Sequence, residues 1–179
     1  MLWKIEMITY HEISLQELTD RITEIDVSEH GTIVYYWIEN ELKPAPEKWE
    51  RPKWTKDSWQ NDSWTTVMNL KGVKAWGAFD DESLVDVIVY RPQLTEDMAQ
   101  LAALFTDKNH RRMGIASRLT QQLIQQVKEE GHSKLYVSAT PSESAVNFYI
   151  SQGFVPTQQA HPKLYELEPE DIHMIKTLS

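Results

Sequence analysis

The chain has 179 residues, 41% of them hydrophobic and 25% charged, enough for one globular domain with a sizeable core. A formal net charge of −9 argues against nucleic acid as a partner, and the absence of cysteine removes disulfides, thiolate nucleophiles and zinc–thiolate sites. No apolar run reaches the roughly eighteen residues a membrane helix needs, and the start, MLWKIEMITYHEIS, lacks a basic stretch followed by an apolar one; the expectation is a cytoplasmic protein with no membrane partner. The six histidines are scattered without HExxH spacing, so no metal site is expected.

In chain order, SLQELTDRITEI reads as an amphipathic helix with Ser14 as N-cap, Glu17 three residues on, and Leu15, Leu18, Ile22 and Ile25 on one face. GTIVYYWIE is β-rich in composition, but its length leaves strand or helix open. Residues 43–64, KPAPEKWERPKWTKDSWQNDSW, hold three prolines and four of the seven tryptophans. The prolines argue against a long regular element and the tryptophans against disorder. An irregular excursion packed on the core is expected, with the aromatic wall of a ligand site as the alternative.

VKAWGAF and LVDVIVYRP flanking DDES read as a β-hairpin, and MAQLAALFT as a buried strand. IASRLTQQLIQQVKEEG is a helix: Ile115, Leu119, Leu123 and Val127 recur at four-residue steps and Gly131 supplies the stop. KLYVSAT is another strand, SESAVNFYISQG a short helix ending at Gly153, KLYELEP a closing strand and PEDIHMIKTL a final helix. Strand–helix–strand order implies a parallel pair joined by a crossover helix.

Between the buried strand and the long helix lies HRRMGIASRL, residues 110–119. The first N–H groups of a helix lack intrahelical partners, and the helix dipole adds positive character there. Gly114 and Ala116 keep the approach clear; Arg111 and Arg112, with Lys108 and His110 nearby, add charge. The combination describes a phosphate or pyrophosphate site. Neither GxxxxGK[ST] nor GxGxxG occurs, which leaves a pyrophosphate ligand other than ATP or NAD.

About thirty residues on stands LYVSATPSESAVNFYISQGF, a strand, a polar turn, then A-x-x-F-Y-x-x-x-G-F. The two motifs at this spacing resemble the GNAT superfamily of acyl-CoA-dependent N-acetyltransferases, over about residues 70–167. The family's [QR]-x-x-G-x-[GA] loop corresponds to Arg111, Gly114 and Ala116. The resemblance implies a mixed α/β fold: a central, mostly antiparallel sheet with a splayed parallel strand pair and flanking helices. It implies one domain over 1–179, divided into a variable acceptor-side region (1–70), an acyl-CoA-binding core (71–167) and a C-terminal helix (168–179). It also implies acetyl-CoA as co-substrate, with the backbone of Arg111, Arg112, Met113, Gly114, Ile115, Ala116 and Ser117 on its pyrophosphate, Leu104, Phe105 and Thr106 on the pantetheine arm, and Ser142 where relatives carry an asparagine that touches the cofactor. Tyr149 falls where relatives hold the acid that protonates the departing thiolate; the alternative is an aromatic core residue beside Phe148. Homodimers are common in the family.

Many relatives carry an acidic residue on the strand before the loop, whereas MAQLAALFT has none. Glu96, Asp97 and His110 are then the candidate bases, with N-terminal acidic side chains behind them and a water chain as an alternative; His161 reads as structural or exposed. An amine with a pKa near 10.4 needs some deprotonation device. The reading is direct acetyl transfer to a primary amine of a small molecule, for which the acidic surface and the tryptophans suit a cation. A protein or peptide acceptor, and a non-catalytic acyl-CoA-binding module, are the alternatives; a nucleotide-like ligand on an unrelated fold ranks below them.

Overall fold

A computed structural model describes residues 7–179. It opens with strand β1 (Thr9–Ile13) and helix α1 (Leu15–Arg21), which runs on into a 3-10 turn, Ile22–Glu24. Ser14 caps α1, its hydroxyl accepting from Glu17 N at 3.0 Å, and Leu18, Ile22 and Ile25 are buried as their spacing requires. β2 (Glu29–Ile38) resolves the ambiguous GTIVYYWIE segment as strand.

β2 pairs with β3 (Glu41–Arg51) in a two-stranded antiparallel ribbon, so the proline-bearing segment is regular strand as far as Arg51. The backbone directions give the reason. Pro44 faces Tyr35, and the Tyr35 N–H points away from β3, donating to Pro141 O at 2.8 Å. Pro44 therefore sits at a pair that shares no ladder hydrogen bond, and Pro46, two residues on, has the same phase. After β3 the chain runs through two 3-10 turns, Ser58–Asn61 and Ser63–Val67. Trp54, Trp59 and Trp64 are buried there in a cluster with Ile13, Leu18 and Ile22.

The main sheet has seven strands. β4 (Lys74–Asp80) and β5 (Ser83–Arg91) form the expected hairpin, and β6 (Met98–Thr106) follows. α2 (Ile115–Glu129) crosses over to β7 (Lys134–Ala139), and α3 (Glu143–Ser151) leads to the short β8 (Val155–Pro156). With β9 (Ile172–Thr177) the order is β1-β4-β5-β6-β7-β9-β8, and among the described residues the β6–β7 pair alone is parallel. One face of the sheet carries α2 and α3 over Ile88, Leu101, Val137, Ile172 and Met174. The other carries α1 and the tryptophans over Val87, Val89 and Ala103.

The C-terminal segments exchange their expected states. The expected strand KLYELEP is mostly helix, α4 (Pro162–Leu167) running through its first five residues, and the expected C-terminal helix is the strand β9 (Ile172–Thr177). Pro162 occupies the first turn of α4, where its missing N–H costs nothing, and Pro169 follows the helix end. β9 is inserted between β7 and β8, so Ile172, His173 and Met174 are all buried, and two covered faces erase the alternation that marks a strand.

Candidate active site

The site begins where β6 and β7 separate. Their ladder comprises Met98–Lys134, Ala99–Leu135 and Gln100–Tyr136 and goes no further. Beyond it, β6 stays paired with β5 as far as Thr106, and β7 stays with β9 as far as Ala139. A register shift in the β5–β6 ladder between Val89 and Tyr90 leaves Ala102 as an extra residue and bends β6 at that place. Leu101–Thr106 and Val137–Ala139 therefore face each other across an opening, without ladder partners on that side. A cleft of about 1700 Å³ runs through it, lined by these strands, the 108–117 loop, the starts of α2 and α3, and the Trp49, Trp54 and Trp64 wall.

The loop is held in shape before any ligand arrives. His110 stands between two carboxylates, Nδ1 at 3.0 Å from Asp107 and Nε2 at 3.1 Å from Asp80. Burial opposes its charge, but the two carboxylate hydrogen bonds outweigh burial and raise its pKa. Asp107 also accepts from Asp26 N and Asn109 N, and Lys108 pairs with Asp26 at 3.0 Å. Arg112 (φ 63°) and Gly114 (φ 78°) then turn the backbone into α2. A Cβ on Gly114 would meet no protein atom within 4 Å, and its positive φ is one that an L side chain rarely adopts. No side chain caps α2, which leaves its first N–H groups facing the cleft.

The sequence-derived residues separate by what they present. Arg111, Arg112, Gly114, Ile115, Ala116 and Ser117 all line the cleft, but the Ile115 side chain is buried in the core, leaving its backbone to face a ligand. Met113 is exposed and does not line the cleft. Arg111 lies 4.0 Å from Glu29, and Ser117 accepts from Gln152 Nε2 at 3.0 Å. Leu104 packs toward the α2 face, Phe105 toward the tryptophans, and the Thr106 hydroxyl donates to Asp86 at 2.5 Å. Ser142 is buried and N-caps α3, accepting from Ala145 N at 3.3 Å. Tyr149 lines the cleft and packs edge-on against both Phe148 and Phe154. Burial, with Asp86 and Asp171 adding to it, holds its pKa far above the ordinary phenol range.

The candidate bases fare differently. Glu96 and Asp97 precede β6 at the end of the sheet away from the loop and do not line the cleft; Asp97 is bound to Lys134 at 3.3 Å and Ser133 at 3.2 Å. His110 reaches the cleft rim, but the carboxylates on both ring nitrogens favour its protonated form. His161 precedes α4, donating its backbone N–H to the Tyr136 hydroxyl at 2.9 Å.

Two carboxyl groups stand near the site without having been singled out. Asp86 is fully buried on β5, with Oδ1 unpartnered, and burial raises its pKa well above the carboxylate range. It is the one charged residue inside LVDVIVY, a visible signal. Asp171 immediately precedes β9, and burial, with Glu168 adding to it, lifts it to about 7. Its segment reads as helix in the sequence, which hides its place beside the opening.

A layered α/β domain with a parallel pair opened over a helix N-terminus is the architecture of an acyl-CoA-dependent acyltransferase. The family model "Acetyltransferase (GNAT) domain" matches residues 11–176, and the chain belongs to that family. Human N-acetyltransferase 8 is 35% identical over 95 residues, 50% of this chain and 42% of that protein, so the match spans about two fifths of the relative. Among solved structures, nourseothricin acetyltransferase superposes with a TM-score of 0.74 at 15% identity, covering 96% of this chain and 99% of that one. A candidate streptothricin acetyltransferase from Bacillus anthracis str. Ames, solved with acetyl coenzyme A, gives 0.72 at 18% identity, with coverages of 97% and 99%. At these identities the likeness is one of fold. No described helix is long and apolar enough to cross a membrane.

Proposed function

We propose that the protein transfers an acetyl group from acetyl-CoA directly to a primary amine of a small molecule. The observation that carries this is the opening between β6 and β7, with the uncapped α2 N-terminus at one end and Tyr149 beside it. Acetyl-CoA in the solved relative, and the antibiotics for which two structural relatives are named, support the cofactor and a small acceptor.

The pyrophosphate would rest on the 111–117 backbone, with Arg112 free of protein partners among the described residues and directed by charge toward it. The pantetheine arm would pair with the unladdered edge of Leu104–Thr106, bringing the thioester into the gap. An amine lone pair then forms the C–N bond at the thioester carbonyl. As the tetrahedral intermediate expels sulfur, the Tyr149 phenol, held protonated by its surroundings, supplies the proton. With no cysteine in the chain, no cysteine-bound acyl enzyme forms.

The test is release of CoA thiol from acetyl-CoA with a panel of amines, read with a thiol-reactive dye to which the protein contributes no background. Release that depends on a class of small amine supports the reading. Acetyl-CoA binding with no release from any small amine, but release with peptide amines, replaces it with a protein or peptide acceptor.

A further inference from the structure

The face of the sheet opposite α2 and α3 gives the cleft an aromatic wall. Phe105, on the unladdered edge of β6, meets Trp54 edge-on with ring centroids 4.7 Å apart and Trp64 at 5.8 Å. The Arg51 guanidinium lies over the same Phe105 ring, 5.3 Å from its centroid, and has no hydrogen bond or ion pair among the described residues. Ser63, beside Trp64, donates its hydroxyl to Glu168 Oε1. All six residues line the cleft.

Glu168 is fastened at backbone and side chain. Its N–H donates to Leu164 O at 2.9 Å where α4 ends, and its carbonyl accepts from Asp171 N at 3.2 Å and lies 2.9 Å from His173 Nε2. The Ser63 bond fixes the carboxylate through one oxygen; Oε2 has no partner among the described residues. Glu50, Lys53 and Asp62 also line this part of the cleft, the aspartate accepting from Trp54 Nε1 at 3.2 Å. A fixed carboxylate beside indole rings suits an organic ammonium, because the carboxylate supplies a charge-assisted hydrogen bond and the rings attract the cation.

The amine held at Glu168 cannot be the one that reacts. A carboxylate stabilises the ammonium form of its partner, and an ammonium has no lone pair to offer the thioester. Arg51 has the reverse effect. A cation over Phe105, where β6 presents its open edge, disfavours an ammonium beside it and favours the neutral amine. The two charges therefore sort two amines.

We propose that Glu168 is a specificity-determining residue that holds a second, non-reacting ammonium of the acceptor, so that the substrates are diamines or larger polyamino compounds. The proposal rests on the amine-transfer reading above and names its substrate class.

The experiment follows thiol release from acetyl-CoA with α,ω-diaminoalkanes of increasing length and with the amino alcohols in which a hydroxyl replaces the second amine. Wild type is expected to favour the diamine by about tenfold in kcat/KM at the best chain length, the scale of one charge-assisted hydrogen bond. Glu168→Gln keeps the shape of the side chain and an acceptor for Ser63. It is expected to erase the preference by raising KM for the diamine rather than lowering kcat. Wild type with equal kcat/KM for the two series would overturn the subsite and leave acetyl transfer standing, a result that depends on no variant. A Glu168→Gln protein that keeps the preference would overturn it too, as would one that loses the same factor on both series, which marks a structural role. Wild type that binds acetyl-CoA and acetylates neither series would overturn the transfer reading, and the subsite with it.

Discussion

Tyr149 is buried to 7% exposure among aromatic neighbours, yet it also lines the cleft, so packing and catalysis make different demands on it. Tyr149→Phe keeps the ring and removes only the proton. Thiol release is expected to fall by about 10²-fold while calorimetric acetyl-CoA affinity stays unchanged; equal loss of both would assign the residue to packing. Asp86 offers a test of a different kind. Its folded pKa is raised, so the folded state keeps a proton that the unfolded chain gives up from about pH 4. Its stabilising contribution is whole below that pH and is lost as pH rises toward the folded pKa, with a slope approaching about 1.4 kcal/mol per pH unit. Asp86→Asn, which fixes a neutral group in the same space, should flatten that part of the stability-versus-pH curve in chemical denaturation; an unaltered slope would mean Asp86 is charged in the fold. Residue-scale legibility follows from chemistry. The 111–117 loop and Tyr149 carry local patterns, whereas Glu168 acquires its setting only from Ser63 and the tryptophans, which are distant in sequence.

At the scale of elements, the site depends on how three connections are fastened together. His110 and Asp107 join the β6–α2 loop to the end of β4, and Asp26 joins it to the segment entering β2. For His110, burial works against the charge and the Asp107 and Asp80 hydrogen bonds prevail, so its folded pKa exceeds the unfolded value near 6.5. The clamp is at full strength below that value and weakens as pH rises through the folded pKa. His110→Gln should therefore lower Tm more at pH 6 than at pH 9, and weaken acetyl-CoA binding in the same sense; an equal Tm loss at both values would show that charge is not what holds the loop. Gly114→Ala, which places an L side chain at φ 78°, should cost about 1 kcal/mol in denaturant unfolding without a steric clash. Elements with one exposed and one buried face, such as α2, could be read from spacing alone. β9 could not, because it is covered on both faces, and α4 could not, because six residues are too few to show a period. β3 was obscured by prolines that a two-stranded ribbon accommodates through the phase of its pairing.

The whole molecule sets a negative background against a local positive rim. Net charge is −9, yet Lys108, His110, Arg111 and Arg112 gather at the end of the cleft where the helix dipole also points. Lys108 and His110 are committed to Asp26, Asp80 and Asp107, and Arg111 leans toward Glu29, so their charge is largely spent within the protein. Arg112 remains as the exposed cation without a partner among the described residues. A polyanionic cofactor approaching an acidic protein must be drawn by that rim against the overall field, and exposed charge of this kind is screened within about 10 Å at 0.1 M salt. Acetyl-CoA affinity should consequently fall as ionic strength rises. Arg112→Gln should weaken binding by about tenfold at low salt, the scale of one charge-assisted phosphate contact, and should flatten the salt dependence. Arg111→Gln should weaken it less, since that guanidinium already faces a carboxylate. Calorimetric titration of the three proteins at low and high salt checks the ordering; a salt slope unchanged by Arg112→Gln would leave the α2 N–H groups alone as the source of anion binding.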